Sequence, residues 1–340
     1  MIYRSKAPLR IGLAGGGTDV SPYSDQFGGA ILNATVSLFA YANIETINEN
    51  KIFLDAFDRK EDQQFNIANE LPIDGTLDLL KGVYNRIYKD YKLPTSGFRL
   101  STFVDAPAGS GLGTSSTLVV AIIGAFVEWL KLPLGDYDIA HYAYEIERKD
   151  LKLTGGKQDQ YAAMFGGVNF MEFYEDDKVI VNPLRIKSEY LHELENNLVL
   201  YYTSTSRESA SIIDEQVKNV NSKNEKSIEA MHQLKEQARM MKEALLKGKL
   251  NEFGEILDFG FQLKRRMAHN ISNSTIEEIY EAAKKAGATG GKISGAGGGG
   301  FMIFYCPENT RYAVINQLNK FGGEVKNYRF TKYGLTTWSA

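Results

Sequence analysis

The chain has 340 residues, of which 43% are hydrophobic and 24% charged, so it is long enough for two globular domains. Its net charge of -3 argues against a broad nucleic-acid surface, and no apolar stretch matches a membrane span or a signal peptide. A single cysteine excludes an internal disulfide, and no histidine lies in an H-E-x-x-H zinc motif, so we expect a cytoplasmic protein whose partners are small molecules, not nucleic acid or membrane.

The first half of the sequence mixes strand and helix patterns. Apolar and β-branched residues are concentrated in 7–14 and 30–47, and residues 98–104 alternate between apolar and polar, which predicts three strands. Apolar residues recur at helical spacing between 77 and 91, and another helix is expected over about 136–151. This half therefore has an α+β character.

The second half changes to longer amphipathic segments. Apolar residues step by three and four from Ile228 to Leu245, which predicts a helix that packs on its own domain rather than on a partner protein. Ser274 followed by Glu277 predicts the start of another helix with a capping box. The chain then continues as strand, glycine-rich loop, strand, helix and strand, which suggests an α+β sandwich as a second domain.

Glycine is concentrated in three segments, which we call the first (GLAGGGTD, 12–19), the middle (PAGSGLGTSST, 107–117) and the third (KISGAGGGGF, 292–301). The middle segment leads from a strand into an apolar helix over 118–130, so its backbone N–H groups can converge on one anion. The hydroxyl residues at 114–117 can cap the helix, bind a phosphate oxygen or reach a magnesium ion. One such loop alone could be a tight turn, but three together predict phosphate binding.

Two common phosphate motifs are absent from the middle segment. A Walker loop requires Lys after its last glycine, but Thr114 follows Gly113. A dinucleotide fingerprint starting at Gly109 requires glycine at position 114, and no acidic residue closes a second strand about twenty residues later. The sequence therefore predicts a phosphate loop of a different type.

Two carboxylates near the middle of the chain are candidates for chemistry. Glu145 is explained as a helix-surface pair with Lys149, whereas Glu147 has no such partner and is available for a metal. Asp159 follows a Gly-Gly turn in TGGKQDQYAA, where an aspartate is most often a solvated cap. Catalysis by Asp159 is the alternative interpretation.

The three glycine segments, in this order and at these intervals, resemble the motifs of the GHMP small-molecule kinases over essentially the whole chain. A closer likeness, to the D-glycero-D-manno-heptose 7-phosphate kinases, is carried by LRIGLAGGGTDVSPYSDQFGGAILNATV, YYTSTSRESASII and LKRRMAHNISNSTI, and fucokinases are the next closest pattern. The resemblance implies an α+β two-domain fold: a ribosomal protein S5 domain 2-like, ATP-binding domain at 1–190 and a ferredoxin-like domain at 191–340. ATP and sugar would lie between them.

The resemblance also implies roles for individual residues. Asp159 falls at the catalytic aspartate of the family and Arg10 at the basic residue of its first motif. Ser115 and Glu147 fall at the Mg²⁺ ligands. Asp19 would hold sugar hydroxyls, beside Gly16, Gly17 and Thr18. The ATP phosphates would be bound by Pro107, Gly109, Ser110, Gly111, Leu112, Gly113, Thr114, Ser115 and Ser116.

Two departures from the family pattern matter. Gly16-Gly17 stands where galactokinases have Glu-His, which implies a different or larger sugar. Thr114-Ser115-Ser116 stands where many members have Ser-Ser-Ala, so the hydroxyl that reaches magnesium stays open.

The implied reaction transfers the γ-phosphoryl of ATP to the anomeric hydroxyl of a heptose 7-phosphate. The phosphate already on the sugar needs cations, and we predict Arg207, Lys264 and Arg265 for this clamp, with a solvated helix face as the alternative. The alternatives for the whole protein are a fucokinase-like or N-acetylhexosamine kinase and a non-catalytic sugar sensor. Either a monomer or a homodimer is expected.

The third segment is expected to lie across the cleft from the other two. No helix starts directly after it, so we interpret Gly295, Gly297 and Gly298 as room for the reacting groups, with Ser294 at the edge. On that interpretation, Gly297→Val abolishes turnover and leaves the melting behaviour nearly intact.

Overall fold

The computed structural model describes residues 1–92, 96–205, 209–268 and 270–340, which form two β-sheets with helices packed on them. The strands are β1 (Ile2–Ala14), β2 (Gly29–Thr46), β3 (Lys51–Ala56), β4 (Glu61–Asn66), β5 (Phe98–Val104), β6 (Val168–Phe173), β7 (Val179–Pro183), β8 (Leu198–Tyr202), β9 (Gly290–Ile293), β10 (Phe301–Tyr305), β11 (Glu324–Lys326) and β12 (Thr336–Ser339). The helices are α1 (Tyr23–Phe27), α2 (Asp78–Tyr91), α3 (Thr114–Leu130), α4 (Asp136–Glu145), α5 (Gln158–Phe165), α6 (Ser188–Asn197), α7 (Ser209–Asn221), α8 (Glu225–Leu246), α9 (Leu250–Lys264), α10 (Ser274–Lys285) and α11 (Arg311–Leu318).

The larger sheet has the strand order β12-β1-β2-β5-β3-β4, and β2 also pairs with β6, which pairs with β7. β3 and β5 run parallel, and the other pairs are antiparallel. α3 packs on β1 and β2, and it is buried along most of its length because its sequence is apolar on nearly all sides. This central position fixes the start of α3, which lies within the middle segment.

The smaller sheet has the order β11-β8-β10-β9, and all of its pairs are antiparallel. The succession β9, loop, β10, α11, β11 confirms the predicted ending of the second domain. α9 packs on β9 and β10.

α8 joins the two domains through its apolar face. Met231 and Leu234 belong to the core on one face of the smaller sheet, whereas Ala238 and Met241 belong to the core that the larger sheet shares with the other face of the smaller sheet. The predicted helix is therefore confirmed, and its apolar face packs on both domains of its own chain.

β12 returns to the first sheet, where Tyr3 pairs with Ser339 and Lys6 with Thr336. A Cβ on Gly124 in α3 would lie 2.7 Å from a methyl carbon of Leu335, so this glycine lets the last segment pack closely against α3. The chain thus forms most of the larger sheet, then the smaller sheet, and then adds one more strand to the larger sheet. The domain division at residue 190 stays a prediction.

Two helix ends differ from their predictions. Asn273 rather than Ser274 caps α10, because the Asn273 side chain accepts a hydrogen bond from Ile276 N at 3.0 Å. The helix predicted over 136–151 ends at Glu145 and continues as a π-helical turn through Ile146–Asp150. Within the described ranges, no helix is both long and apolar enough to span a membrane.

Candidate active site

A cleft with a volume of about 300 Å³ is lined by residues of both domains. Arg10, Asp19 and Asp159 line it from the first domain, and Lys264 and Lys292 from the second. These five residues bring two carboxylates and three cationic side chains into the cleft, which Glu147 and Arg148 line as well.

The middle segment forms one wall of the cleft. Gly109, Gly111 and Gly113 have φ values of 71, 86 and 76°, which glycine adopts without the steric cost that other residues have. α3 begins at Thr114, and no side chain in the described part of the chain caps its start. The N–H groups of the first helical turn are thus available to an anion, as phosphate binding requires.

Not every residue predicted for this loop faces the cleft. Pro107 is exposed at its beginning and Leu112 is buried in the hydrophobic core. The Ser110 carbonyl accepts a hydrogen bond from Phe301 N at 2.8 Å, so Ser110 holds the loop against β10. The loop is therefore anchored on its outer side while its glycines line the cleft.

Asp159 and Arg10 are in direct contact. Arg10 Nε donates to Asp159 Oδ1 at 2.7 Å, and Arg10 also donates to the Gly111 carbonyl at 2.5 Å. Arg10 is buried, whereas Asp159 is half-buried in the first turn of α5. Asp159 is thus not a solvated cap, since it lies in the cleft against a guanidinium.

Asp19 is buried and holds the start of α5. Its Oδ2 accepts hydrogen bonds from Lys157 N at 2.9 Å and Gln158 N at 3.1 Å. A Cβ on Gly156 would lie 2.0 Å from this oxygen, which explains the Gly-Gly turn before the helix. Burial, together with the charge of Asp159, raises the pKa of Asp19.

The neighbours of Asp19 in the first segment differ in their positions. Gly16 and Gly17 line the cleft. Thr18 is buried, and its hydroxyl donates to the carbonyls of Gly15 and Ala30. The Thr18 side chain therefore stabilises the first segment through contacts outside the cleft.

Glu147 lies on the π-helical turn, an irregularity that is frequent at functional sites. Its carboxylate is buried and accepts hydrogen bonds from Ser116 Oγ at 3.0 Å and Gln160 Nε2 at 2.5 Å. Ser115 is exposed at the start of α3, and both Ser115 and Glu147 line the cleft. Hydroxyl and carboxylate oxygens are the donors that Mg²⁺ prefers, so this set fits the ion.

Sequence reasoning did not find Gln160, because its contact with Glu147 depends on how α5 packs against the π-helical turn. The Ser116 contact had a signal, since this hydroxyl stands where many family members have alanine. In the structure that hydroxyl binds Glu147.

The structure does not bring together the residues that were predicted to bind the phosphate of the sugar. Lys264 is buried in the cleft, where its Nζ donates to the Gly295 carbonyl, and burial together with Arg10 lowers its pKa to about 8. Arg265 does not join it, because its guanidinium pairs with Glu277 at 2.6 Å and stacks on the Phe261 ring. Arg207 lies outside the described residues.

Lys292 is a cleft residue that sequence reasoning missed. It lies on β9, and its Nζ donates to the Gly12 carbonyl at 2.8 Å. Burial, with the charges of Lys264 and Arg10, lowers its pKa well below the usual value. No local pattern marks Lys292, because its burial depends on how β9 packs against β1.

The third segment packs directly on the middle one. A Cβ on Gly295 would lie 2.7 Å from Gly111 Cα, and a Cβ on Gly111 would lie 2.7 Å from the Ser294 carbonyl oxygen. Ser294 Oγ donates to the Gly111 carbonyl at 2.8 Å. Gly295 and Ala296 also line the cleft.

Gly297 and Gly298 lie against Ile271 instead, which corrects their interpretation as room for reacting groups. Gly297 has a φ of 123°, and a Cβ there would lie 2.8 Å from the Ile271 carbonyl oxygen. Gly298 N donates to the same carbonyl at 2.8 Å. A valine at 297 would strain the backbone, so we now expect this variant to melt at a lower temperature than the wild type, contrary to the expectation from the sequence.

Comparison with known proteins agrees with these features. The family model of the GHMP kinases N terminal domain matches residues 78–167, and that of the GHMP kinases C terminal matches 241–324. The D-glycero-alpha-D-manno-heptose 7-phosphate kinase of Campylobacter jejuni is 48% identical over 335 residues, which cover 98% of both chains.

Solved structures show the same similarity. A crystal structure of a D-glycero-D-manno-heptose 1-phosphate kinase from Bacteroides thetaiotaomicron has a TM-score of 0.86 and 47% identity, over 99% of each chain. Lactococcus lactis galactokinase, solved with galactose, shares the fold at a TM-score of 0.78 and 18% identity, over 98% of this chain and 95% of the galactokinase. The α+β two-domain fold implied by the sequence is therefore confirmed, and the chain belongs to the GHMP kinase family.

Proposed function

We propose that the protein is an ATP-dependent sugar kinase that acts on D-glycero-D-manno-heptose 7-phosphate. The γ-phosphoryl of ATP would pass to the anomeric hydroxyl, and the products would be the 1,7-bisphosphate, ADP and a proton. The contact between Arg10 and Asp159, beside the uncapped start of α3, carries the proposal. The Campylobacter jejuni relative supports the choice of sugar.

Each group has a task in this reaction. Asp159 would accept or orient the proton of the anomeric hydroxyl, and Arg10 would balance the negative charge of the moving phosphoryl group. The N–H groups of the middle segment would hold the ATP phosphates. Phosphoryl transfer depends mainly on such positioning and charge stabilisation, so no covalent intermediate with the protein is needed.

A magnesium ion would be held by Ser115 and Glu147. When bound, Mg²⁺ neutralises part of the phosphate charge. Ser116 and Gln160 would orient the Glu147 carboxylate through the hydrogen bonds described above. We place the enzyme in the cytoplasm as a monomer or homodimer.

A second acceptor is favoured by one observation. The Bacteroides thetaiotaomicron protein, at 47% identity, is named for heptose 1-phosphate. Phosphorylation of heptose 1-phosphate at its 7-hydroxyl gives the same 1,7-bisphosphate. The acceptor consumed, and not the product, therefore distinguishes the two reactions.

The test is a panel of acceptors with ATP and Mg²⁺: heptose 7-phosphate, heptose 1-phosphate, free heptose, fucose and an N-acetylhexosamine. ADP release would be followed continuously, and the product identified by phosphorus NMR. We expect the highest kcat/KM with heptose 7-phosphate. A preference for free fucose or N-acetylhexosamine would overturn the proposal, and absence of turnover with every sugar would favour a sensor.

A further inference from the structure

Gly12 leaves an open position in the cleft, on β1 between Arg10 and the first glycine turn. A Cβ built on Gly12 would lie 3.8 Å from Gln158 Oε1 and 4.0 Å from Lys292 Nζ. Apart from the residues next to Gly12 in the chain, no other heavy atom of the described residues would lie within 4 Å of this Cβ. The open position therefore has room for at least a methyl group, with a hydrogen-bond acceptor and a donor beside it.

Both polar groups have unused hydrogen-bonding capacity. Gln158 is only 9% exposed, and its Oε1 has no partner in the part of the chain that the structure describes. Lys292 is 5% exposed and carries three N–H donors when charged, of which one binds the Gly12 carbonyl. A buried acceptor without a partner is destabilising, so a ligand that satisfies Oε1 gains from it.

The charges around the open position favour an oxygen-rich ligand. Burial and the repulsion of Lys264 and Arg10 act against the ammonium form of Lys292. Asp19 and Asp159 are the carboxylates nearby, but Asp159 is paired with Arg10 and Asp19 holds the start of α5. An electronegative atom beside Lys292 would therefore stabilise its charged form.

The position along β1 points to the sugar rather than to ATP. Arg10 reaches the middle segment through the Gly111 carbonyl, which is the ATP side of the cleft. Gly12 comes two residues later along β1, in the direction of Gly16. A Cβ built on Gly16 would lie 4.0 Å from Lys264 Nζ. Gln158 directly precedes Asp159 in α5, so it lies next to the group that would orient the acceptor hydroxyl.

A hydroxyl matches this pair of side chains, and a phosphate does not. A hydroxyl can accept from Lys292 Nζ and donate to Gln158 Oε1 at the same time. A phosphate dianion has no proton to donate and would repel the Gln158 oxygen. We propose that Gln158 and Lys292 bind one hydroxyl group of the sugar acceptor at the open position beside Gly12, and thereby select the sugar.

This inference rests on the proposed function, because it requires a sugar acceptor. The test uses the full-length enzyme, the best acceptor of the panel and the monodeoxy analogues of that acceptor. Three variants remove the site in different ways: Gly12→Ala fills the open position, Lys292→Met removes the donor and Gln158→Met removes the acceptor. Lys81→Met is the matched control, since Lys81 is also buried but pairs with Asp74 and Asp78 and does not line the cleft.

We expect each of the three variants to raise KM for the acceptor by about 10- to 100-fold, the range typical of one hydrogen bond to a charged group, and to leave KM for ATP unchanged. With the wild-type enzyme, one monodeoxy analogue should have a KM that is higher than that of the full acceptor by a similar factor. With Lys292→Met, removal of the same hydroxyl should raise KM little further, because the side chain that binds this hydroxyl is already absent. A purely structural role of Lys292 would not abolish discrimination at one hydroxyl.

Two results would overturn the inference while the proposed function stands. One is an increase of KM for ATP instead of the acceptor, and the other is unchanged discrimination among the analogues in all three variants. If Lys292→Met fails to fold, Gly12→Ala decides, because the added methyl has no neighbour closer than 3.8 Å. If the wild-type enzyme phosphorylates no sugar at all, the proposed function fails and the inference falls with it.

Discussion

The middle and third glycine segments are both rich in glycine, but their backbones do different work. The middle segment leads into α3, and its glycines leave the N–H groups of the first helical turn open to the cleft. The third segment connects two antiparallel strands, and a Cβ on its Gly295 or Gly300 would meet the backbone of Gly111 or Ser110 within 2.7 Å. Glycine thus serves ligand access in one loop and close packing of two backbones in the other.

This comparison predicts that changes beside the middle segment alter chemistry, whereas changes in the third segment alter stability and the position of charges. The largest effect is expected for Asp159→Asn. A Cβ on Gly113 would lie 3.1 Å from the Asp159 carboxylate, so this group is adjacent to the phosphate loop. Loss of general-base help should lower kcat by about 10²–10⁴-fold, measured as ADP release.

The matched control is Asp62→Asn, which changes an exposed carboxylate on β4 and should leave kcat unchanged. The melting temperature of the Asp159→Asn variant should stay close to that of the wild type, because asparagine still accepts from Arg10. An unchanged kcat would remove Asp159 from the mechanism.

The next effect is structural and concerns the third segment. Gly297→Val should lower the free energy of unfolding by about 2–5 kcal/mol, since a left-handed backbone costs about 1–2 kcal/mol and overpacking against Ile271 about 1–3 kcal/mol. Chemical denaturation would measure the change.

Gly322→Val separates the two causes. Gly322 has a φ of 73°, but a Cβ there would meet no atom within 4 Å. This control should therefore carry only the backbone cost. Equal destabilisation of the two variants would contradict the packing role of Gly297.

A smaller effect is expected for Ser116→Ala, at the end of the middle segment. Glu147 would lose one of its two hydrogen-bond donors, and the Mg²⁺ concentration for half-maximal activity should rise by about 10- to 100-fold. Ser115→Ala tests the other hydroxyl in the same titration. If neither variant changes the requirement for Mg²⁺, the ion is held elsewhere.

The smallest effect is a pH dependence that arises from Lys264, which binds the third segment. Its pKa of about 8 means that it is charged below that pH and neutral above it. If its ammonium binds the phosphate of the sugar, kcat/KM for the acceptor should fall above pH 8 by up to about tenfold for each pH unit. A Lys264→Arg variant stays charged, so the fall should be absent there. The same fall in both enzymes would assign the titration to another group.

Features that depend on neighbouring residues were predicted well. β5 was visible in its alternation and α3 in its apolar sequence, because each pattern follows from one local period. The contact of Arg10 with Asp159 could be expected only through the family resemblance, since 149 residues separate the two.

Features that depend on tertiary packing were not predicted. The π-helical turn, the Glu277 partner of Arg265 and the Ile271 contact of Gly297 have no local signature. Lys292 was missed for the same reason, because its burial results from the approach of β9 to β1. The chemistry of the site was thus easier to predict than the reasons for its shape.

The pairing of β12 with β1 has a consequence for the order in which the protein is made. A ribosome completes residues 1–183, which hold the other strands of the first sheet, long before it adds 336–339, so this sheet lacks β12 until the second domain has been synthesised. Domains commonly fold one after another during synthesis. Here residues 336–339 couple the two, and the first domain reaches its final strand arrangement only after the second domain has been made.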